Sequence, residues 1–262
     1  MKSIDIKDLS GLPGRRLAPK DTFSFRCHPG IGCFNRCCRN LNLFLYPYDV
    51  VRLKNKLGLS SDAFIEQYVD VVMREGNYFP DVLLKMAENA DKTCPFLTES
   101  GCSVYSDRPD ACRTFPLELG VLYESGRLKG ETVCFFKPPA FCLGPTELTL
   151  WTPQTWEKDQ QAEVYHRMTL RWAELKRLFL QNPWGPSGME NPKAKMAFMA
   201  TYNVDQFREF VFGSSFMKRY HVASTVLRKI KKIDSELMKF GFSWVGFFVW
   251  GKPTPDIKAK IK

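Results

Sequence analysis

The chain of 262 residues is poor in histidine and has no long apolar run. It contains 3 histidines, and only His28 lies near a cysteine, whereas a Rieske-type cluster needs two histidine ligands. No window approaches the roughly 18 consecutive apolar residues of a transmembrane helix; FSWVGFFVW at 242–250 is about half that span. The first residues lack the apolar segment of a secretory signal. We therefore expect a cytoplasmic protein without a transmembrane segment.

Several cysteine and histidine motifs of known enzymes are also absent. The sequence has no C-x2-C redox pair, no C-x3-C-x2-C radical-SAM loop and no H-E-x-x-H metalloprotease signature. These absences argue against the familiar catalysts of each type. No acid/base pair is specific enough to name a reaction, and the chain has no internal repeat.

What the sequence does contain is unevenly distributed. A hydrophobic content of 44% predicts a globular protein with one substantial core or two small ones. The net charge is +10, yet residues 191–262 alone hold 14 Lys/Arg against 5 Asp/Glu. All nine cysteines lie between residues 27 and 142. We therefore predict a cysteine-cluster metal-binding domain at 20–150 and a basic helical region at 151–262.

The hydrophobic patterns predict an α+β protein. The first part is expected to be small and irregular, with short helices and a β-hairpin, and the second part to be mainly α-helical. Pro47 and Gly58 mark the start and end of one helix, and a second helix starts at Ser61. Residues 78–87 are compatible with a strand or a helix, and their neighbours favour the strand. Further expectations are a loosely ordered segment at 1–24, a hairpin at 117–136, a capped helical turn after Ser106–Asp107 and one long helix at 156–180.

The cysteines form two blocks. The first block has the spacing C-x5-C-x3-C-C and the second has C-x7-C-x9-C, with Cys134 and Cys142 following. A reducing cytosol disfavours disulfides, so clustered cysteines there indicate metal ligands or redox groups. Thiolates select zinc, Cu(I) or iron–sulfur clusters. The x5 and x7 gaps are looser than a zinc knuckle, whereas C-x3-C-C suits either metal. Side chains of the adjacent Cys37 and Cys38 diverge, so their loop could serve two metals or one.

Three strings resemble a known family: CHPGIGCFNRCC, NLFLYPYDVVRLKNKLGLSSDAFI and CPFLTESGCSVYSDRPDACRTFPL. They are similar to the YkgJ-type cysteine-cluster proteins, also called the CxxCxxCC family, over roughly residues 22–145. The resemblance implies a zinc- or iron-chelating protein or one that contains an iron–sulfur cluster. Some longer relatives are flagellin lysine-N-methylases, but no methyltransferase fingerprint is visible here.

The resemblance also implies a set of metal ligands. Eight cysteines match the family pattern, and they are Cys27, Cys33, Cys37, Cys38, Cys94, Cys102, Cys112 and Cys142. Cys134 is the extra thiol, and His28 could replace a thiol as ligand. Eight ligands make two four-thiolate sites or one cluster with spare thiols. Arg108 and Arg113 flank Cys112 and are expected to donate to the sulfur of a cofactor; solvent exposure or an ion pair with a neighbouring aspartate is the other interpretation.

Three functions follow from these features. We favour an iron–sulfur protein, with 4Fe–4S as one form, acting in electron transfer or as a redox-linked accessory protein. The alternatives are a structural zinc-binding interaction module and a cluster-dependent, lysine-N-methylase-like protein-modifying enzyme. Basic residues at 228–232 and 258–262 could contact nucleic acid, an acidic protein or an anionic membrane surface, although a solvated helix face is favoured. The expected partner or substrate is a protein whose identity the sequence does not give.

Overall fold

The computed structural model describes residues 2–5, 11–123 and 130–260. The chain forms two compact units, one from Met1–Leu43 and Lys85–Ala173 and the other from Phe44–Leu84 and Glu174–Lys262. Each unit therefore draws on two separate stretches of sequence. A compact unit need not be a domain that folds by itself, so the domain boundary expected near residue 150 stays a prediction.

The α+β class is confirmed, with helices concentrated in the C-terminal part. The strands are β1 (Lys2–Asp5), β2 (Arg15–Leu17), β3 (Phe23–Ser24), β4 (Val69–Val72), β5 (Asp81–Leu84), β6 (Leu97–Thr98), β7 (Gly101–Cys102), β8 (Leu117–Tyr123), β9 (Glu131–Phe136), β10 (Leu150–Trp151), β11 (Tyr220–Val222) and β12 (Ile257–Ala259). The helices are α1 (Pro47–Leu57), α2 (Ser61–Tyr68), α3 (Asp110–Thr114), α4 (Pro153–Asp159), α5 (Glu163–Phe179), α6 (Pro192–Tyr202), α7 (Val204–Gly213), α8 (Phe216–Arg219), α9 (Ser224–Lys232) and α10 (Asp234–Trp250).

The first unit is built on a four-stranded sheet of order β1-β8-β9-β2. Strands β8 and β9 pair antiparallel, with Leu117 opposite Phe136, which confirms the predicted hairpin; residues 124–129 of its connection lie outside the described part. Strand β1 runs parallel to β8, and β2 runs antiparallel to β9. The expectation of a loosely ordered segment at 1–24 was wrong, because these short strands pair with partners more than 100 residues away in sequence.

A buried aromatic core closes the sheet of the first unit on one side. Phe23, Phe25 and Trp156 pack with Leu17 and Leu117, and the Trp156 ring meets the Phe25 ring edge-on at 5.4 Å. The Trp156 indole N–H donates to the carbonyl of residue 114 at 2.9 Å, so this large side chain is buried with its polar atom satisfied.

The second unit is helical, and local signals account for its first elements. Helix α1 begins at Pro47, whose fixed φ suits a first helical turn, and ends where Gly58 takes a φ of 67°. Helix α2 begins after Ser60, whose side chain accepts the Ala63 N–H. Strand β5 then pairs with β4. Both helices and the strand at 78–87 were predicted from the sequence and are confirmed.

The single long helix predicted at 156–180 is in fact two helices. Helix α4 ends at Asp159, Gln161 has a φ of 52°, and α5 begins at Glu163. Helix α5 belongs to the first unit as far as Ala173 and to the second unit from Glu174. The left-handed residue interrupts the helix, and the amphipathic pattern continues across it, so periodicity alone joined the two elements.

The basic C-terminal stretch also mixes helix and strand. Helix α9 buries Ile230 and exposes Arg228, Lys229, Lys231 and Lys232, as a solvated basic face does. Strand β12 pairs antiparallel with β11, while residues 261–262 of the predicted basic tail lie outside the described part. None of the described helices combines the length and apolar character that crossing a membrane requires.

Candidate metal centre

Two loops of the first unit are held together beside the core. The Phe25 N–H donates to the carbonyl of residue 149 at 2.9 Å, and the Arg26 N–H donates to that of Gly144 at 3.1 Å. The Trp151 indole N–H donates to the Phe25 carbonyl at 2.8 Å. A Cβ on Gly144 would lie 2.3 Å from the Phe25 ring, so only glycine allows this approach. The contacts bring the loop of the first cysteines next to the loop that carries Cys142.

Four cysteines lie within electrostatic reach of one another there, and we call Cys27, Cys33, Cys37 and Cys142 the first thiol group. The Leu143 N–H donates to Cys33 Sγ at 3.2 Å across 110 residues of sequence. Desolvation, followed by the charges of the other three thiols, raises the pKa of Cys27 to about 11. Burial likewise raises the pKa of Cys142, with Cys33 and Cys37 adding to it and the Gly144 N–H opposing it. The thiols are therefore close enough to influence one another's charge.

Cys37 also contacts its neighbour in sequence. It lies with Cys38 on a 3-10 turn at Arg36–Cys38. A hydrogen bond with Cys38, followed by burial and the Cys38 charge, raises the Cys37 pKa, and Arg39 lowers it by a smaller amount. Cys37 is thus the member of the first thiol group that adjoins a further thiol.

The second cysteine block approaches the same loop through its backbone. The Cys94 N–H donates to the Cys38 carbonyl at 2.8 Å, and residues 39 and 93 form an antiparallel bridge. Cys94 and Cys102 belong to the small β6–β7 hairpin region. Burial raises the pKa of both thiols, and the charges of Cys102 and Cys37 contribute to the shift of Cys94. Cys37 therefore lies near both blocks.

Backbone N–H groups point at these sulfurs. Cys94 accepts from Phe96 and Leu97, Cys102 accepts from Val104, and Cys142 accepts from Gly144. Such bonds stabilise a thiolate and lower its pKa. They are also the contacts that surround the sulfurs of iron–sulfur clusters and tune their potential.

Cys112 lies on α3, beside a buried arginine. Arg108 donates to the Tyr105 carbonyl at 2.7 Å and to Gln160 Oε1 at 2.6 Å. Burial lowers the pKa of Arg108, while the charges of Cys112 and Cys102 act in the opposite direction. The guanidinium of Arg108 thus lies within electrostatic reach of both thiols, and its donation to the sulfur of a cofactor stays a prediction.

The guanidinium of Arg113 forms its contacts with other groups of the protein. Its side chain donates to the Gln160 carbonyl at 2.7 Å and to the Ser106 carbonyl at 2.6 Å, and it stacks over the Tyr165 ring at 4.4 Å. These contacts join α3 to the break between α4 and α5. A role of Arg113 toward a cofactor stays a prediction.

Cys134 and His28 have other surroundings. Cys134 lies on β9 opposite Leu17 and packs against the aromatic core. Burial, followed by the charge of Glu157, raises the pKa of Cys134 to about 12. His28 Nε2 lies 3.6 Å from Glu147 Oε1. Cys134 therefore packs against the aromatic core, as Cys142 also does, and His28 has a carboxylate neighbour.

The donor chemistry fits a metal that prefers thiolates. Within the described ranges, no three His, Cys, Asp or Glu side chains are closed around a point that could hold a metal ion. The thiols nevertheless gather, accept backbone N–H groups and raise one another's pKa. The positive charge of a bound cation offsets that repulsion and lowers the pKa of the thiols, which then bind as thiolates. The thiols therefore have the chemistry that zinc or iron prefers. To bind one metal, their sulfur atoms must move closer to a common point.

The backbone donors beside Cys142 were not predicted from the sequence. Leu143 and Gly144 donate to sulfurs through main-chain N–H groups, and side-chain identity does not report such bonds. The one visible signal is the glycine two residues after Cys142, since glycine often marks a close approach of backbone or ring.

Comparison with known proteins agrees with the cysteine pattern. Residues 26–142 match the model of the CxxCxxCC family, described as "Putative zinc- or iron-chelating domain". The match covers a little under half of the chain and includes all nine cysteines, which confirms the resemblance in that part. No solved structure matches the chain.

Proposed function

We propose that residues 26–142, which match a zinc- or iron-chelating domain, hold an iron–sulfur cluster through cysteine thiolates. The observation that carries this proposal is the first thiol group, in which Cys142 joins Cys27, Cys33 and Cys37 from a distant loop. Such a cluster supplies one-electron chemistry. We therefore assign the protein to electron transfer or to a redox-linked accessory role, in the reducing cytosol where thiols persist.

The ligands divide into two sets under this proposal. The first thiol group forms one four-thiolate site of the 4Fe–4S type. Cys38, Cys94, Cys102 and Cys112 form the second set, supported by the bond between the Cys38 carbonyl and the Cys94 N–H and by the position of Arg108 near Cys102 and Cys112. Cys37 and Cys38 would then serve different sites from one turn.

The protein groups have defined tasks in this arrangement. Backbone N–H groups of Leu143 and Gly144 hold the sulfurs of the first set. Arg108 places a positive charge beside thiols of the second set, which offsets part of their negative charge. These contacts would orient the ligands and tune the potential of the centre.

A zinc-binding interaction module is the second candidate. Each proposed set offers four thiols, the number that a tetrahedral structural zinc site takes, and the family description names zinc as well as iron. In that case the metal would stabilise irregular loops, and recognition of a protein partner would be its role.

Metal analysis after anaerobic purification tests both candidates. We expect iron and acid-labile sulfide in comparable amounts, visible absorption and an EPR signal after reduction. Stoichiometric zinc in a colourless protein without sulfide would end the iron–sulfur assignment in favour of zinc. The paired variant Cys33→Ala/Cys142→Ala should lose metal from the first set.

Cys134→Ala is the matched control for that pair, because Cys134 is a partly buried thiol outside both sets. It should keep the full metal content. Far-UV circular dichroism would separate loss of ligands from loss of fold. Full metal retention in the paired variant, with its spectrum unchanged, would refute the first set as ligands.

A further inference from the structure

A cavity of about 910 Å³ opens in the first unit. Its walls come from strands β2, β8 and β9 and from helices α4 and α5, and its floor includes the buried Leu17, Leu117 and Trp156. This volume is within the range of pockets that enclose small molecules. Of the nine cysteines, Cys134 is the one in its lining, so the cavity is separate from both proposed thiolate sets.

One polar pair stands out against the apolar floor. His166 Nδ1 lies 2.5 Å from Glu157 Oε1, and both side chains line the cavity. On the other side of the ring, His166 Nε2 lies 3.6 Å from Asp110 Oδ1. Two carboxylates therefore flank the imidazole and fix its orientation. Within the described part of the chain, Glu157 Oε2 forms no hydrogen bond with the protein, and Glu157 keeps 33% of its side chain exposed.

The charge of the lining is opposite to that of the chain. The protein carries +10, yet the residues that line the cavity include three acidic ones, Asp21, Glu131 and Glu157, against one arginine, Arg16, and His166. An apolar floor with an excess of carboxylates suits a ligand with an apolar body and a positive charge. The Cys134 thiol remains neutral because burial and Glu157 raise its pKa to about 12, so it adds apolar surface to the wall.

We propose that this cavity binds a small organic cation, with an ammonium or guanidinium group on the Glu157 carboxylate and an aliphatic or aromatic body over Leu117 and Trp156. The proposal depends on none of the cysteine assignments. Helix α3 nevertheless connects the two regions, because Thr114 lines the cavity and Cys112 lies two residues earlier.

Three probes of similar shape test the charge preference on the purified, full-length protein at neutral pH. They are phenethylammonium, the neutral 2-phenylethanol and the anionic 3-phenylpropanoate, with affinities from isothermal titration calorimetry or ligand-observed NMR. A charge-assisted hydrogen bond in a partly enclosed site predicts that the ammonium binds about tenfold more tightly than the alcohol. The carboxylate should bind most weakly.

Variants then locate the site. Glu157→Gln should abolish the preference for the ammonium and leave the affinity for the alcohol within about twofold. Glu163→Gln is the matched control, since Glu163 is exposed on α5 and does not line the cavity. Leu119→Trp fills the cavity without altering its charge and should remove binding of both probes. This variant locates the site if Glu157→Gln fails to fold. Equal affinities for ammonium and alcohol, a preference that survives Glu157→Gln, or no binding of any probe would overturn the proposal.

Discussion

Removing the buried ammonium of Lys54 should destabilise the second unit in a pH-dependent way. The Lys54 side chain is 6% exposed, and its Nζ lies 3.1 Å from Asp205 Oδ2 and 2.9 Å from Asp234 Oδ2. Arg208 pairs with the same two carboxylates. Lys54→Met keeps most of the aliphatic volume but leaves two neighbouring carboxylates with only the arginine to balance them.

The expected loss at pH 7 is about 2 to 3 kcal/mol in the free energy of unfolding. Breaking a buried ion pair by removing one partner costs about 3 to 5 kcal/mol. We expect less than that range because Asp205 and Asp234 keep 27% and 15% of their side chains exposed and because Arg208 remains.

The sign of the pH dependence follows from the two carboxylates. Desolvation raises the pKa of Asp205, but hydrogen bonds from the Ser61 N–H and from Lys54 outweigh it, so the pKa lies below the usual range. For Asp234, bonds from Lys54 and Arg208 likewise outweigh desolvation. A lowered carboxyl pKa contributes stability above the unfolded pKa, and this stability is lost as pH falls through the folded value. The native protein should therefore weaken below about pH 5.

Urea unfolding at pH 7 and pH 3, followed by circular dichroism and tryptophan fluorescence, measures both effects. The defect of Lys54→Met should shrink at pH 3, because protonated carboxyls no longer repel each other. Lys195→Met is the control, since its ion pair with Glu190 is exposed and should leave the midpoint unchanged. A Lys54→Met defect that is equal at both pH values would contradict an electrostatic origin and indicate lost packing.

Two glycine substitutions test close packing, each against a matched glycine. On α10, Gly241→Ala would place a Cβ 2.1 Å from a carbonyl oxygen of α6 and should destabilise the protein by about 1 to 3 kcal/mol. The Cβ of Gly246→Ala would meet nothing within 4 Å, so this variant should stabilise the protein by about 0.5 to 1 kcal/mol. Thermal unfolding of both variants measures these changes in stability. Gly144→Ala, whose Cβ would overlap Phe25, should lower metal content by displacing the Cys142 loop, while Gly32→Ala has its nearest neighbour at 3.6 Å and should not. Equal metal content in these two variants would argue against the proposed closeness of the loops.

The elements that sequence predicted well are those defined by neighbouring residues. The ends of α1 follow from the fixed φ of Pro47 and the left-handed Gly58, and α2 begins at a serine cap. The alternating pattern of the β8–β9 hairpin also acts over a few residues. Each of these signals is complete within one turn or one strand, so no tertiary information is needed to interpret it.

Predictions from the sequence were wrong where contacts between residues far apart in the chain determine the local structure. Ser106 and Asp107 were expected to cap α3, but the Ser106 hydroxyl donates to Asp107 at 2.7 Å and the helix begins after Pro109 without a side-chain cap. The Ser106 carbonyl instead accepts from Arg113, and the Arg113 guanidinium also binds Gln160 at the α4–α5 break. The guanidinium of Arg113 on α3 thus ties the Ser106 turn to the α4–α5 break, 47 residues further along the chain, a contact that the local pattern does not report.

At the candidate site, the sequence predicts the kind of chemistry but not which cysteines lie together. Nine cysteines between residues 27 and 142 indicate metal chemistry at once, because free thiols rarely gather without a ligand to hold. Which thiols share a site depends on Phe25 and Gly144, whose close approach brings Cys142 to Cys33. Since a phenylalanine and a glycine carry no metal signal, spacing between cysteines cannot determine the sets. Under the proposed division, the first ligand set depends on this contact within the aromatic core, and we expect variants of the core to lower metal content as variants of the cysteines do.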